Sequence, residues 1–337
     1  MSTVSYYLAC IANRTSNDIT FINLDTSQVL YTKNANTKTD VNSWPTGIAF
    51  SQNNQYLYIT NAGTNELTVF QSGAQWSLLE KATQPVKNKP GNILVVNDKI
   101  FVVCQADNVI ASLAQEKDKL NPLADTPTGA NSLPWGVASS PDKNLLYVTN
   151  YNNGKIDTYN IKETGLTKFS SVETGTPSAN YSITSICVTN KYIAYIACPK
   201  AGIILIADLS NNRILDFIKL ETPKCSILNN KCDPLGLALS KDYKELYVTS
   251  PCAGTLTIID TNKNVIIGNT EVGRWPVAVT IHPDNPNQIY VVNQGDNELA
   301  ILNRDLRYVR GVIFYVDKRL KVGKSPRNIA VTSNPIV

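Results

Sequence analysis

Residues 44–70 read WPTGIAFSQNNQYLYITNAGTNELTVF. Three runs stand out, at 47–51, 56–60 and 66–70. Each is dominated by β-branched and aromatic residues and bounded by Gly, Pro or Asn. That is how short strands joined by tight turns read. Helical periodicity is nearly absent along the chain. The best exception, residues 115–120, is too short to nucleate a helix and reads as a turn leading into an outer strand.

The stretch recurs. Residues 134–159 read PWGVASSPDKNLLYVTNYNNGKIDTY, residues 234–260 read PLGLALSKDYKELYVTSPCAGTLTIID, and residues 276–302 read PVAVTIHPDNPNQIYVVNQGDNELAIL. Two degenerate copies begin at Pro90 and Ile183. A seventh copy is split: PRNIAVTS at 326–333 supplies its first segment and YLACIANRTSNDITFINLD at 7–25 supplies the rest. The residue closing the second segment is Asn13, Asn61, Gln105, Asn150, Cys198, Ser250 and Asn293 in turn. It returns every 43 to 52 residues, a period of four strands and four turns.

One four-stranded meander cannot bury both its faces, whereas radial stacking buries each face on a neighbour. A chain that starts in mid-repeat points to a closed ring, because pairing the two ends removes both loose edges. The expected fold is therefore all-β: a single domain over residues 1–337, forming a seven-bladed β-propeller of four-stranded antiparallel blades. One blade is shared between residues 6–40 and 322–333. The residues just after the recurrent Pro position are Gly47, Asn92, Gly136, Ser185, Gly236, Ala278 and Asn328. Their small or polar character suits the innermost strands, where the blades crowd the axis.

Four segments carry a resemblance: Tyr58-Ile59-Thr60-Asn61, Tyr147-Val148-Thr149-Asn150, Tyr247-Val248-Thr249-Ser250 and Tyr290-Val291-Val292-Asn293. They resemble the repeat of YVTN-type β-propeller proteins, and the resemblance spans essentially the whole chain. It implies a seven-bladed scaffold of a kind often exported or displayed on microbial surfaces. Similar architectures serve lactonases, streptogramin-type lyases, quinoprotein dehydrogenase subunits and a single-stranded-DNA binder. The scaffold is thus implied and its use is left to the site. The blades at Cys104-Gln105 and Ala197-Cys198 depart from the repeat.

Composition narrows the chemistry. His282 is the only histidine, so a His-rich zinc or iron site cannot be built. It occupies the position of Ser140 in another copy, on a tight turn opposite the face where the Pro-led strands begin, and reads as a turn residue. The lyase mechanism implied by the resemblance wants a histidine at the mouth, and the chain offers none there. No calcium loop, nucleophile elbow, P-loop or dinucleotide fingerprint occurs, and no cofactor or metal is expected. The net charge of +4 is a weak field for polynucleotide binding. No run of about 18 apolar residues exists, and the first residues lack the regions of a signal peptide. Met1 is the only methionine, so a leader upstream stays open. Cys225 and Cys232 could close a small disulfide loop, and Cys198 and Cys252 could meet between adjacent blades. Either bridge would favour a periplasmic, secreted or surface location. Cys10, Cys104 and Cys187 fall on strands as apolar fillers.

The candidate site is the mouth of the central channel on the top face. Trp44, Trp135 and Trp275 flank the Pro position in three repeats, with Lys89, Lys231, Arg274, Lys324 and Arg327 nearby and Asp233 as the adjacent acid. The tryptophans either rim a site for an aromatic or anionic ligand or act as packing between blades. The expected function is a monomeric, non-enzymatic microbial scaffold binding a protein partner through this face. The alternatives are a lactonase-like hydrolase or small-ligand binder, and a single-stranded nucleic-acid binder.

Overall fold

The computed structural model describes residues 5–36, 41–72, 79–116, 119–175, 182–220, 233–307 and 312–336. They form seven antiparallel sheets, one per repeat. In blade 1 the order is Pro326–Val331, Leu8–Asn13, Asp18–Asn23, Gln28–Asn34, so the last strand of the chain is the innermost strand of the blade that the N-terminus completes. Blades 2, 3 and 4 begin at the axis with Pro45–Phe50, Pro90–Val96 and Pro134–Ser139. Blades 5, 6 and 7 begin with Ile186–Val188, Leu237–Leu239 and Pro276–Ile281. Each innermost strand touches the next, and that of blade 7 touches that of blade 1, which closes the ring. Val109–Glu116 pairs with Lys119–Pro122, Gln115 opposite Leu120, which puts the described part of 115–120 in outer strands as expected; a short extra strand, Thr126–Pro127, also pairs with Val109–Glu116. No helix occurs among the described residues.

The core lies in the seams. Seven apolar clusters fill them, one between each pair of adjacent blades. The period-2 alternation of each strand serves two seams at once. Ala9 and Ile11 pack toward blade 7, while Cys10 and Ala12 pack toward blade 2. The Tyr of each YVTN-like segment is buried, as in Tyr58, Tyr147, Tyr247 and Tyr290.

The Thr and the Gly of the repeat meet at the axis. In blades 2 and 4 the first ladder shifts register between Pro45 and Ile48 and between Pro134 and Val137, which takes the Gly out of regular pairing. The Gly47 N–H donates instead to the buried Thr60 hydroxyl at 2.7 Å, and that hydroxyl donates to the Gly91 carbonyl of blade 3 at 2.7 Å. Thr149 repeats this with the Gly136 N–H at 2.8 Å and the Thr184 carbonyl of blade 5, and Thr249 takes the Gly236 N–H at 2.9 Å. A Cβ on Gly47 would run into the Gly91 carbonyl oxygen, and one on Gly136 into the Thr184 carbonyl. Gly47, Gly136 and Gly236 are therefore glycines because neighbouring main chains touch there.

The Cys198–Cys252 bridge does not form; both thiols are free. Cys198 is buried in the seam between blades 4 and 5, and Cys252 packs in the seam between blades 5 and 6, so the sheet of blade 5 separates them. Burial pushes the Cys198 thiol up to about 12, the range of an unreactive filler. Cys225 and Cys232 lie outside the described residues.

Two outcomes follow from this architecture. Gly47→Ala should cost about 2 kcal/mol or more, by overpacking against backbone. Gly91→Ala, whose Cβ would meet nothing nearer than the Gln105 amide at 3.5 Å, should cost less than about 1 kcal/mol; urea unfolding of both variants compares them. Deleting residues 322–337 should leave the Leu8–Asn13 edge bare and yield aggregated protein without a cooperative thermal transition. A truncated chain that melts like the parent would contradict the closed ring.

Candidate functional site

In six of the seven blades the residue that opens the innermost segment, ahead of the Pro position or of Ile183, has an unusual backbone; Asp233 of blade 6 is the exception. Trp44, Lys89, Leu133, Ser182, Trp275 and Ser325 all sit at φ between 46° and 55°. A non-glycine residue there is strained and needs support from its surroundings. The support comes from the preceding blade. An Asn in the turn between its second and third strands accepts the strained residue's N–H. Asn17 holds Trp44 at 3.1 Å, Asn65 holds Lys89 at 2.9 Å, Asn108 holds Leu133 at 2.8 Å and Asn297 holds Ser325 at 2.7 Å. These Asn are themselves left-handed, and Gly154, Gly202 and Gly254 take their place in the other three blades.

The strands so launched surround a mouth of about 320 Å³, within the range of small-molecule sites. Of the expected residues it gathers Trp44, Lys89, Trp135 and Arg327. To these it adds Arg14, Gln105, Asn92 and Asn328, which the sequence reading did not assign to the site. Arg14 follows Asn13, one of the segment-closing residues, and Gln105 holds that position in blade 3; its departure from Asn was the only signal available. The Arg14 guanidinium lies 5.4 Å from the Trp44 ring centre, and Trp135 packs on Tyr151 at 5.7 Å.

Arg14, Lys89 and Arg327 have no side-chain hydrogen bond or ion pair among the described residues, and no Asp or Glu lines the mouth. Burial, together with the neighbouring Arg14 charge, holds Arg327 below the ordinary arginine range. Like charges gathered without a counter-ion raise the local positive potential.

Four expected residues do not line the mouth. Arg274 is committed elsewhere: its Nε donates to Asp296 at 2.5 Å and its Nη2 to the Gly295 carbonyl at 2.9 Å. Arg274 and Lys324 stand two residues before the Pro position, one step farther out than Lys89, and both are exposed. Trp275 is 53% exposed beside the mouth, and Trp44 is 43% exposed within it, which takes both out of the packing between blades. Asp233 is half-buried one residue before Pro234. Its carboxylate accepts the Cys252 N–H at 2.7 Å, and burial raises its pKa. Lys231 lies outside the described residues. Among the described residues no three His, Cys, Asp or Glu side chains gather as metal ligands.

No family model matches the chain, and no curated protein matches it in sequence. Solved structures do match in shape. A periplasmic gluconolactonase from Pseudomonas aeruginosa is 17% identical at a TM-score of 0.77, over 97% of this chain and 99% of that one. A candidate 6-phosphogluconolactonase from Bacteroides fragilis is 15% identical at a TM-score of 0.79, over 100% and 99%. A virginiamycin B lyase from Staphylococcus aureus is 16% identical at a TM-score of 0.66, over 88% and 94%. At such identities the likeness establishes the seven-bladed propeller. It also corrects the expected function. Three neighbours matched over 96% or more of this chain and 99% of their own are named for lactone hydrolysis, which favours the lactonase-like alternative over a non-enzymatic scaffold; a streptogramin B lyase matches over 96% and 91% at a lower TM-score of 0.67.

On the opposite face a larger cavity, about 530 Å³, opens between blades 6 and 7 beside His282. Its charges are spent on each other: Arg304 on Glu245, Lys244 on Asp242, and the Tyr7 hydroxyl on Asp284. His282 caps its own turn, its Nδ1 accepting the Asp284 and Asn285 N–H groups at 3.1 Å each. Ser140 makes the equivalent turn by accepting the Leu145 N–H at 2.9 Å. Burial holds the His282 pKa below its ordinary value, against the pull of Asp25 and Asp284. The neutral ring therefore adds stability above about pH 6.5, and this is lost as pH falls through the depressed pKa. His282→Ala should cost about 1–2 kcal/mol at pH 7 for the lost cap. The gap to the parent should narrow by pH 5 in urea titrations; a gap that widens toward acid would reverse the assigned protonation.

Proposed function

We propose that the chain is a lactonase-like hydrolase whose site is the top mouth and whose substrate is an anionic lactone. The observation that carries this is the group of three cations, Arg14, Lys89 and Arg327, with no acid among them, inside a small-molecule-sized mouth. The names of three full-length structural neighbours point the same way.

The chemistry follows from charge. Opening a lactone places negative charge first on the carbonyl oxygen and then on a new carboxylate. Guanidinium groups fixed before the reaction stabilise both without reorganising. Indole faces at Trp44 and Trp135 offer a flat surface to a ring substrate. The attacking water must lose a proton, and no Asp or Glu lines the mouth among the described residues, so in this reading the proton passes to solvent and the fixed cations carry the catalysis. Arg327 binds the anionic group and polarises the lactone carbonyl.

Purified protein should accelerate hydrolysis of six-membered lactones in a pH-stat above the buffer rate. Arg327→Gln should lower kcat/KM at least about tenfold on lactones bearing a carboxylate or phosphate, the usual scale for losing one oxyanion contact or ion pair. No hydrolysis by the parent chain across such a panel would overturn the assignment.

A further inference from the structure

The mouth is divided. Its cations come from blades 1 and 3 and its indoles from blades 2 and 4. Polar groups continue that side inward: the Asn328 amide donates to Asn92 Oδ1 at 3.4 Å, and the Asn92 amide donates to the Trp135 carbonyl at 2.9 Å. Among the described residues, the side formed by blades 6 and 7 has no polar side chain in its lining. It consists of Leu235, Gly236, Leu237, Val277, Ala278 and Val279. Leu235 and Leu237 are only half-buried, so aliphatic surface stays in contact with the cavity.

We infer that the mouth selects an amphipathic anion: an oxyanion head, carboxylate or phosphate, against Arg14, Lys89 and Arg327, and an apolar body against the aliphatic wall of blades 6 and 7. The inference rests on the mouth being the ligand site and concerns what fills it. Two physical terms decide it. A body rich in hydroxyls would lose water against that wall and find no side-chain partner there, a cost for every group left unpaired. An alkyl or aryl body gains with each methylene removed from water. The unpaired cations fix only the head and are indifferent to the body, so the wall sets the preference.

Four probes separate head from body: hexanoate and gluconate, which share a carbon count and a carboxylate, and hexyl phosphate and glucose 6-phosphate, which share a phosphate. Isothermal titration calorimetry of the full chain should show each apolar probe binding at least about tenfold tighter than its hydroxylated counterpart. The tighter of the two apolar probes identifies the head group. Leu235→Asn should erase the preference while sparing the hydroxylated pair, and Arg327→Gln should weaken all four. If gluconate and glucose 6-phosphate bind as tightly as the apolar probes and still depend on Arg327, the amphipathic preference is overturned and the mouth remains an anion site. If no probe binds, or binding ignores Arg327→Gln, the mouth itself is misassigned and the preference falls with it. The comparison within the parent chain stands even if Leu235→Asn does not fold.

Discussion

A threonine hydroxyl held between two main chains sets the geometry of this propeller. Thr60 accepts the N–H that the bulged Gly47 cannot give to its own ladder, and passes its proton to the carbonyl of Gly91 in the next blade. One side chain thereby satisfies a buried donor, a buried acceptor and the spacing between two sheets. The same device recurs at Thr149, and the glycine half of it at Thr249, so it falls in alternate blades. Such contacts act at the smallest radius of the ring, where a displacement of one blade must be shared by all. The seams of apolar side chains farther out supply most of the burial, and these axial contacts hold the bore at which that burial is complete.

The mouth inherits its dimensions from that bore. Because the inner strands start at the same height, the residues before and after each Pro position share one rim. Its chemistry then depends on which blades carry which side chains. Three cations with no counter-charge would repel one another in the free protein, a cost the fold tolerates at a place where an anion can remove it. The opposite cavity is larger and yet chemically closed, its carboxylates already matched to Arg304, Lys244 and Tyr7. Size alone would favour that face, whereas unspent charge is found at the mouth.

Much of the fold was legible in residues 44–70 and their echoes, because strand, turn and period each leave a local mark, and the split copy marks closure. Trp44, Lys89, Trp135 and Arg327 were legible for the same reason: they adjoin a Pro that recurs in the same place. Arg14 and Gln105 were not, since they reach the mouth from the loop after the second strand, and nothing in a single sequence says how far that loop leans inward. Arg274 and Lys324 were placed at the mouth because nearness along the chain was taken for nearness to the axis. A one-residue offset at a left-handed turn was enough to send them outward, and Asp296 then engages Arg274. The scaffold reading rested on the lack of a histidine or paired carboxylates at the mouth. That reasoning covers catalysts built on those groups and is silent about sites built on guanidinium charge.

Of the left-handed residues ahead of six of the inner strands, four are held through the main chain by an Asn of the neighbouring blade, and the side chains of Trp44, Lys89 and Leu133 take no part in that grip. Tryptophan, lysine, leucine and serine all occupy the position here on nearly the same backbone angle. Frame and display are thus separable traits in this ring. Mutation can redraw the rim one blade at a time, changing what the protein recognises while leaving how it folds almost untouched, and selection for a new ligand need not pass through an unstable ancestor.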